Sequence, residues 1–301
     1  MGVTVALGIR EAATVLAAVS DTPRVDAELL MAHVLGVTRP AMLLHAMRDP
    51  VPAGIAALVI RRLKHEPVAY ILGSQEFYGL DLIVTPDVLI PRGDSETLVE
   101  AARTNVADLP PARILDLGTG SGALLLAALS LWPAAQGVGI DRSLAAVAVA
   151  AANAGRLGMA HRARILHADW TAPGWAAGLG RFDLILANPP YVEDTAALAP
   201  QVRGHEPAGA LFAGAEGLDA YRALIPQLGA LFEPDGLAIL EIGSTQADAV
   251  TALARTAGFA ATLHRDLADR PRALAFQIGV HKKALGKPGD RHYPAAKPAG
   301  G

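Results

Sequence analysis

Apolar positions in the first quarter of the chain recur at helical spacing. Ile9, Ala12, Ala13, Leu16 and Val19 form one stripe, and Val25, Leu29, Leu30, Val34 and Leu35 form a second that closes at Gly36. Ile55, Leu58, Val59 and Leu63 form a third, and Pro23, Pro40, Pro50 and Pro52 punctuate the segments. Residues 1–73 therefore read as a small helical domain, and no polar constellation within it points to catalysis. The period then changes. Phe77, Leu80, Leu82, Val84 and Leu89, with Gly79 between them, predict a short hairpin within 76–91. It runs into Pro91-Arg92-Gly93-Asp94-Ser95-Glu96, where Asp94 or Ser95 is placed to cap the next helix.

From residue 113 onward, strand and helix patterns alternate. Strands are expected at Arg113–Leu117, Gly137–Ile140, Arg164–His167, Phe182–Ala187, Leu237–Glu241, Ala261–His264 and Ala273–Gly279. The alternation predicts an α/β, Rossmann-like fold: a mostly parallel seven-stranded sheet with helices on both faces. Ligands in such sheets bind beyond the C-terminal strand ends. Leu117–Ile140 carries no charge and is long enough to span a membrane, but five glycines, Pro133 and Gln136 interrupt it. A strand end, a glycine turn, a buried helix and a second strand explain it better. The N-terminus lacks a basic segment followed by an apolar run, so a cytoplasmic, soluble protein with no membrane partner is expected; a monomer is the separate expectation for its assembly.

Composition narrows the chemistry. The 301 residues are 52% hydrophobic and 18% charged, a globular balance. With no cysteine, disulfides, thiolate nucleophiles and Cys-ligated metals drop out. The nine histidines form no H-x-x-x-H or H-x-H pair, so no metal is expected. The net charge of −3 is unevenly spread. Residues 281–301 carry Lys282, Lys283, Lys287, Arg291 and Lys297 against Asp290, which leaves −7 for residues 1–280. That tail reads as disordered and basic. A body so acidic is a poor binder of duplex nucleic acid.

The chemistry-bearing segments fall at strand ends. Asp116-Leu117-Gly118-Thr119-Gly120-Ser121-Gly122 follows the first strand and opens a helix near Ala123. Its glycines let the backbone turn sharply and approach a ligand closely. The spacing is G-x-G-x-G rather than the dinucleotide G-x-G-x-x-G. Asp116 suits a cationic ligand such as S-adenosylmethionine better than a phosphate. Asp141 ends the second strand, where a carboxylate can accept both ribose hydroxyls. Asp169-Trp170 ends the third, where Asp169 can receive an exocyclic amine and the indole can cover a ring. An NAD enzyme is the nearest competing class.

The fourth strand runs into Asn188-Pro189-Pro190-Tyr191. Two prolines fix two φ angles and remove two donors, leaving carbonyls rigidly aimed. Asn188 adds a side-chain acceptor and Tyr191 a flat face. The set fits a planar amino group on an sp² carbon. Asn188 Oδ1 and the Pro189 carbonyl can hold both hydrogens of an amide nitrogen and stabilise charge developing on it.

Together Asp116–Gly122, Asp141, Asp169-Trp170 and Asn188–Tyr191 resemble a class I S-adenosylmethionine-dependent methyltransferase of the amino-group type. His65–Gly73, Glu76–Leu80, Leu89–Glu96, His205-Glu206-Pro207 and Gly214–Asp219 resemble the peptide chain release factor glutamine N5-methyltransferases. The resemblance spans roughly residues 8–279. It implies S-adenosyl-L-methionine as cofactor, held by Asp116, Gly118–Gly122, Asp141, Asp169, Trp170 and Asn188. It implies as substrate the glutamine of the Gly-Gly-Gln loop of release factors, bound by Asn188, Pro189, Pro190 and Tyr191. Residues 1–73 become a docking domain for the factor, 74–96 a hairpin linker, 97–280 the methyltransferase domain and 281–301 the tail. Arg92 and Glu96 shape the substrate-side loop. Ser95 stands where threonine is usual, His205 replaces an aromatic, and Ala215 and Glu216 vary the glycine-rich motif. The alternatives are an adenine-N6 DNA methyltransferase, a methyltransferase of another protein glutamine, and a catalytically silent assembly factor.

Overall fold

The computed structural model describes residues 3–106 and 109–278. The expected tail over 281–301, and Gly279 at the end of the last expected strand, lie outside the described residues.

Five helices open the chain: α1 (Val5–Leu16), α2 (Pro23–Leu35), α3 (Arg39–His45), α4 (Ile55–Leu63) and α5 (Val68–Leu72). Their apolar stripes meet in a core of their own built on Val5, Leu16, Leu30, Met31 and Met42. Helix α2 ends where the sequence places its stop, at Gly36 with φ 68°. One buried ion pair crosses this core edge, Arg62 Nε to Asp26 Oδ2 at 2.8 Å. Arg62 also donates to Gln201 Oε1 at 2.9 Å, which ties the helical unit to the rest of the chain.

The hairpin is shorter than the sequence suggests. Strand β1 (Ser74–Phe77) pairs with β2 (Leu80–Ile83) around Tyr78-Gly79, both at positive φ, a primed two-residue turn. Pairing stops at Ile83. Val84, Val88 and Ile90 instead bury against Tyr70, Ala146 and Val149, so their hydrophobic spacing serves packing rather than a ladder. The capping expectation is also corrected. Gly93–Ser95 form a 3₁₀ turn before α6 (Glu96–Asn105), and neither Asp94 nor Ser95 caps it. Asp94 meets Arg272 at 2.9 Å, and the Ser95 hydroxyl goes to Glu241. Tertiary partners took both side chains.

The remaining elements are β3 (Arg113–Leu117), α7 (Ala123–Leu131), β4 (Gln136–Asp141), α8 (Leu144–Arg156), β5 (Ala163–His167) and β6 (Phe182–Ala187). They continue as α9 (Pro200–His205), α10 (Asp219–Leu224), β7 (Phe232–Glu241), α11 (Ala247–Thr256), β8 (Phe259–Arg265) and β9 (Pro271–Ile278). All seven expected strands form one sheet in the order β5-β4-β3-β6-β7-β9-β8. The first five run parallel, and β9 and β8 join antiparallel. The apolar stretch 117–140 resolves into the end of β3, a loop, α7 and β4, and no single helix among the described residues is long and apolar enough to cross a membrane.

Alternation along each strand splits the core in two. Ile114, Leu184, Leu186 and Ile239 face α6 and α7 through Leu98 and Leu125. Leu115, Leu117, Ile185 and Leu240 face Tyr221, Leu224, Leu228 and Val250. Burial on both faces is why these strands read as nearly continuous apolar runs. The winding direction reverses between β3 and β6, which are neighbours with Leu117 opposite Ala187. The loops leaving them diverge from one point and open a crevice there.

Candidate active site

The loop after β3 folds back over β4. Gly118 and Thr119 both donate their N–H to the Ile140 carbonyl, at 2.9 and 2.8 Å. Gly118 has φ 76°, and a Cβ there would come within 3.1 Å of the Trp170 ring. Glycine thus permits both the turn and the indole lying on it. Asp116 is 1% exposed. Its Oδ2 accepts the Thr119 hydroxyl at 2.7 Å, while Oδ1 has no partner among the described residues. Burial pushes its pKa up to about 7. Burial thus leaves one oxygen of a cavity-lining carboxylate without a donor, an uncompensated cost in this structure.

Asp141 clamps two elements. Oδ2 accepts the Gly120 N–H and Oδ1 accepts the Ser143 N–H, each at 2.9 Å. Each oxygen keeps a lone pair for a ligand hydroxyl. Asp169 Oδ1 accepts the Thr171 N–H and hydroxyl, at 2.8 and 2.7 Å, and these bonds hold its pKa below the ordinary value. Trp170 is fixed by a residue the sequence reading missed. Gln227 Nε2 donates to the Trp170 carbonyl at 3.0 Å, and Gln227 Oε1 accepts the Trp175 indole N–H at 2.6 Å.

Asp116, Gly118, Thr119, Gly120, Ser121, Asp141, Asp169, Trp170, Asn188 and Pro190 line one cavity of about 430 Å³. That is a volume suited to a small organic ligand. Gly122 lies outside the lining, at the start of α7 with φ 84°. Tyr191 lines an adjoining open depression with Arg92 and Asp94, and Pro91 borders both spaces. Pro189 is buried and borders neither.

The Asn-Pro-Pro-Tyr turn rests on a carboxylate at the end of β7. Asn188 Nδ2 donates to Ser95 Oγ at 3.3 Å, and Ser95 Oγ donates to Glu241 Oε2 at 2.5 Å. The Tyr191 hydroxyl donates to Glu241 Oε1 at 3.1 Å, and the Tyr221 hydroxyl to the Glu241 carbonyl at 2.8 Å. Glu241 is 2% exposed, and its burial raises its pKa. The sequence reading did not single it out. The signal was there: Glu241 ends an apolar strand, as Asp141 does.

The backbone of the turn is held as well. Gln246 Nε2 donates to the Tyr191 carbonyl at 3.1 Å. Gly217, at φ 66°, sits so close that a Cβ would lie 2.3 Å from that carbonyl. Arg92 pairs with buried Glu206, and Glu96 Oε1 accepts the Tyr78 N–H at 2.9 Å. Both side chains tie loops together rather than face the cavity.

Family comparison fits this geometry. Residues 9–73 match the model of the PrmC N-terminal domain, and residues 94–203 match that of the methyltransferase small domain. A release factor glutamine methyltransferase of Rhodospirillum rubrum is 44% identical over 260 residues, covering 84% of this chain and 78% of its own. The chain belongs to the release factor glutamine methyltransferase family. A second member, from Caulobacter vibrioides, is 42% identical over 243 residues, covering 79% of this chain and 83% of its own. Among solved structures, the hMettl16 catalytic domain in complex with MAT2A 3′UTR hairpin 6 shares the fold. Its TM-score is 0.53 at 13% identity, over 77% of this chain and 83% of that one. The small-domain match takes in Asp116 through Tyr191 but stops before Glu241. The Asn-Pro-Pro-Tyr turn is thus braced by a strand beyond the matched region.

Proposed function

We propose that the chain transfers a methyl group to the side-chain amide nitrogen of the glutamine in the Gly-Gly-Gln motif of peptide chain release factors, with S-adenosyl-L-methionine as donor. The observation that carries this is Asn188. Its Nδ2 is committed to Ser95, so Oδ1 is left as an acceptor at the wall of a cavity whose lining includes Asp116, Asp141 and Asp169.

The cavity residues fit the donor's polar groups. Asp116, with one oxygen unpartnered, suits an ammonium, Asp141 the ribose hydroxyls, and Asp169 with Trp170 the adenine. When bound, the donor supplies an electrophilic methyl on a sulfonium. The chain's own residues do the rest by orientation and charge. Asn188 Oδ1, at the cavity wall, accepts an amide hydrogen and aims the nitrogen lone pair. As positive charge grows on that nitrogen, the same acceptor stabilises it. No strong base is required beforehand: the S–C bond breaks with its electrons left on sulfur as the N–C bond forms, and the nitrogen proton, acidic only then, passes to water. Tyr191 covers one face of the amide from the adjoining depression.

The helical unit α1–α5 docks the factor. Exposed Leu44 on α3 and Ile60 on α4 give it apolar contact points.

Two experiments follow. Labelled methyl transfer is measured to purified release factor, to the same factor with its loop glutamine changed to alanine, and to duplex DNA. Label on the unaltered factor alone is expected; label on DNA would overturn the reading. Asp141→Ala is expected to weaken donor binding by roughly 10- to 100-fold in calorimetry, the cost of losing hydrogen bonds to a charged acceptor and of freeing the Gly120 loop. An unchanged Kd would refute that role.

A further inference from the structure

We infer that Glu241 is a positioning residue that sets which way the Asn188 amide faces, an assignment that rests on the functional reading above. The argument is one of donor and acceptor counting. Glu241 lies at the C-terminal end of β7, next to β6 in the sheet, with Ala187 opposite Leu240. Its two carboxylate oxygens are reached by two hydroxyls, Ser95 at 2.5 Å and Tyr191 at 3.1 Å. Both hydroxyls donate to it, the direction an ionised carboxylate, which only accepts, imposes. Ser95 has one proton. Once that is given to Glu241, its oxygen presents only lone pairs to Asn188. The Nδ2 group must then face Ser95, and Oδ1 is driven to the cavity side. The chain of bonds runs in one direction, from the amide of Asn188 to the carboxylate.

Side chains other than a carboxylate do not impose this direction. A glutamine at 241 has one acceptor oxygen and an NH₂ that only donates, so it can serve only one of the two hydroxyls. If its NH₂ meets Ser95, the serine proton turns toward Asn188. The Asn188 amide then gains by flipping, and it presents a donor where the substrate amide also presents donors. A flipped Asn188 fills the same space and costs little stability. The deficit is felt when the amide nitrogen must be held.

The surroundings keep Glu241 in place. The Tyr221 hydroxyl holds its backbone carbonyl, and the buried Arg272 guanidinium lies nearby, engaged with Asp94 and Asp266. Arg272 and Asp94 act on Glu241 with opposite sign.

The test compares Glu241→Gln, Ser95→Ala, Ser95→Thr and the Glu241→Gln/Ser95→Ala double variant. Each full-length protein is assayed with labelled S-adenosylmethionine and purified release factor. Glu241→Gln is expected to lower kcat on the order of 100-fold, as misorientation of a positioning group does. KM for the factor and the donor Kd by calorimetry are expected to stay within about threefold of wild type. Ser95→Ala is expected to lower kcat as well, and Ser95→Thr, which restores the hydroxyl, to recover most of that loss. The double variant is expected to be no worse than Glu241→Gln, since both act through one chain of bonds. Losses that multiply in the double variant, or a loss confined to donor Kd, would overturn the assignment. So would an unaffected Glu241→Gln in an assay where wild type labels the factor. A wild-type enzyme that labels no release factor overturns the functional reading and this assignment with it.

Discussion

Asn188→Ala is expected to lower kcat for release-factor methylation on the order of 100- to 1000-fold at saturating donor, the range seen when one group that stabilises developing charge is removed. The residue stands where β6 leaves the sheet beside the glycine loop. Its Nδ2 is occupied by Ser95, and Oδ1 is the side-chain acceptor left for the substrate amide. Alanine removes that acceptor and also leaves Ser95 Oγ without its donor. The factor still docks through its other contacts, but the amide nitrogen is no longer held in line. The loss should therefore fall on kcat more than on KM. Single-turnover labelling checks this directly, and near-normal kcat would refute the role given to Asn188.

Asp116→Asn is expected to do two opposite things at pH 8: raise the melting temperature of the donor-free protein and weaken donor binding. Asp116 titrates at about 7 in the folded chain against an ordinary value of 3.8, chiefly because it is buried, with Asp141 adding to the shift. Between about pH 4 and pH 7 the folded protein therefore holds a proton that the unfolded chain has released. Stability contributed by this group falls as pH rises through that window. Above it, the donor-free protein carries a buried charge with one oxygen on Thr119 and one without a partner among the described residues. Asparagine removes the charge, so thermal unfolding should lose that pH dependence and shift upward by roughly 2–4 °C per kcal/mol relieved. A cationic donor stabilises the same charge, so its affinity for wild type should fall below about pH 7 and fall at all pH values in the variant. Melting curves at pH 5 and pH 8, with calorimetry at both, decide it. A variant that melts lower than wild type at pH 8, or binds the donor equally well, would refute the account. The arrangement places a cost in stability at a carboxylate of the candidate site.

Much of the fold was legible because its signals are local and periodic. β3 and β6 have the expected ends, and α7 begins at Ala123, since strand apolarity and glycine punctuation act within a few residues. The hairpin failed beyond Ile83 for the same reason it was inferred. Val84, Val88 and Ile90 are side chains that bury, and burial against Tyr70 and Ala146 needs no partner strand, while Leu89 lines the cavity. The caps failed because Asp94 and Ser95 have short side chains that satisfy a helix end only when nothing stronger is near. Here Arg272 and Glu241 are stronger, and they lie 178 and 146 positions away in the chain.

The sequence by itself determined the strand–helix alternation, the glycine loop with its acidic neighbours, and the Asn-Pro-Pro-Tyr turn. Each is a run of consecutive residues whose backbone preferences and side-chain chemistry can be read without knowing what surrounds it. Only the tertiary structure decided how these segments are held. That Glu241 supports both Ser95 and Tyr191, that Gln227 fixes Trp170, and that Asp116 keeps one oxygen open all depend on which strands become neighbours and which groups lose water. A hydrogen bond between distant positions leaves no periodic trace in either segment. The cost of burying a carboxylate exists only once the core has closed around it.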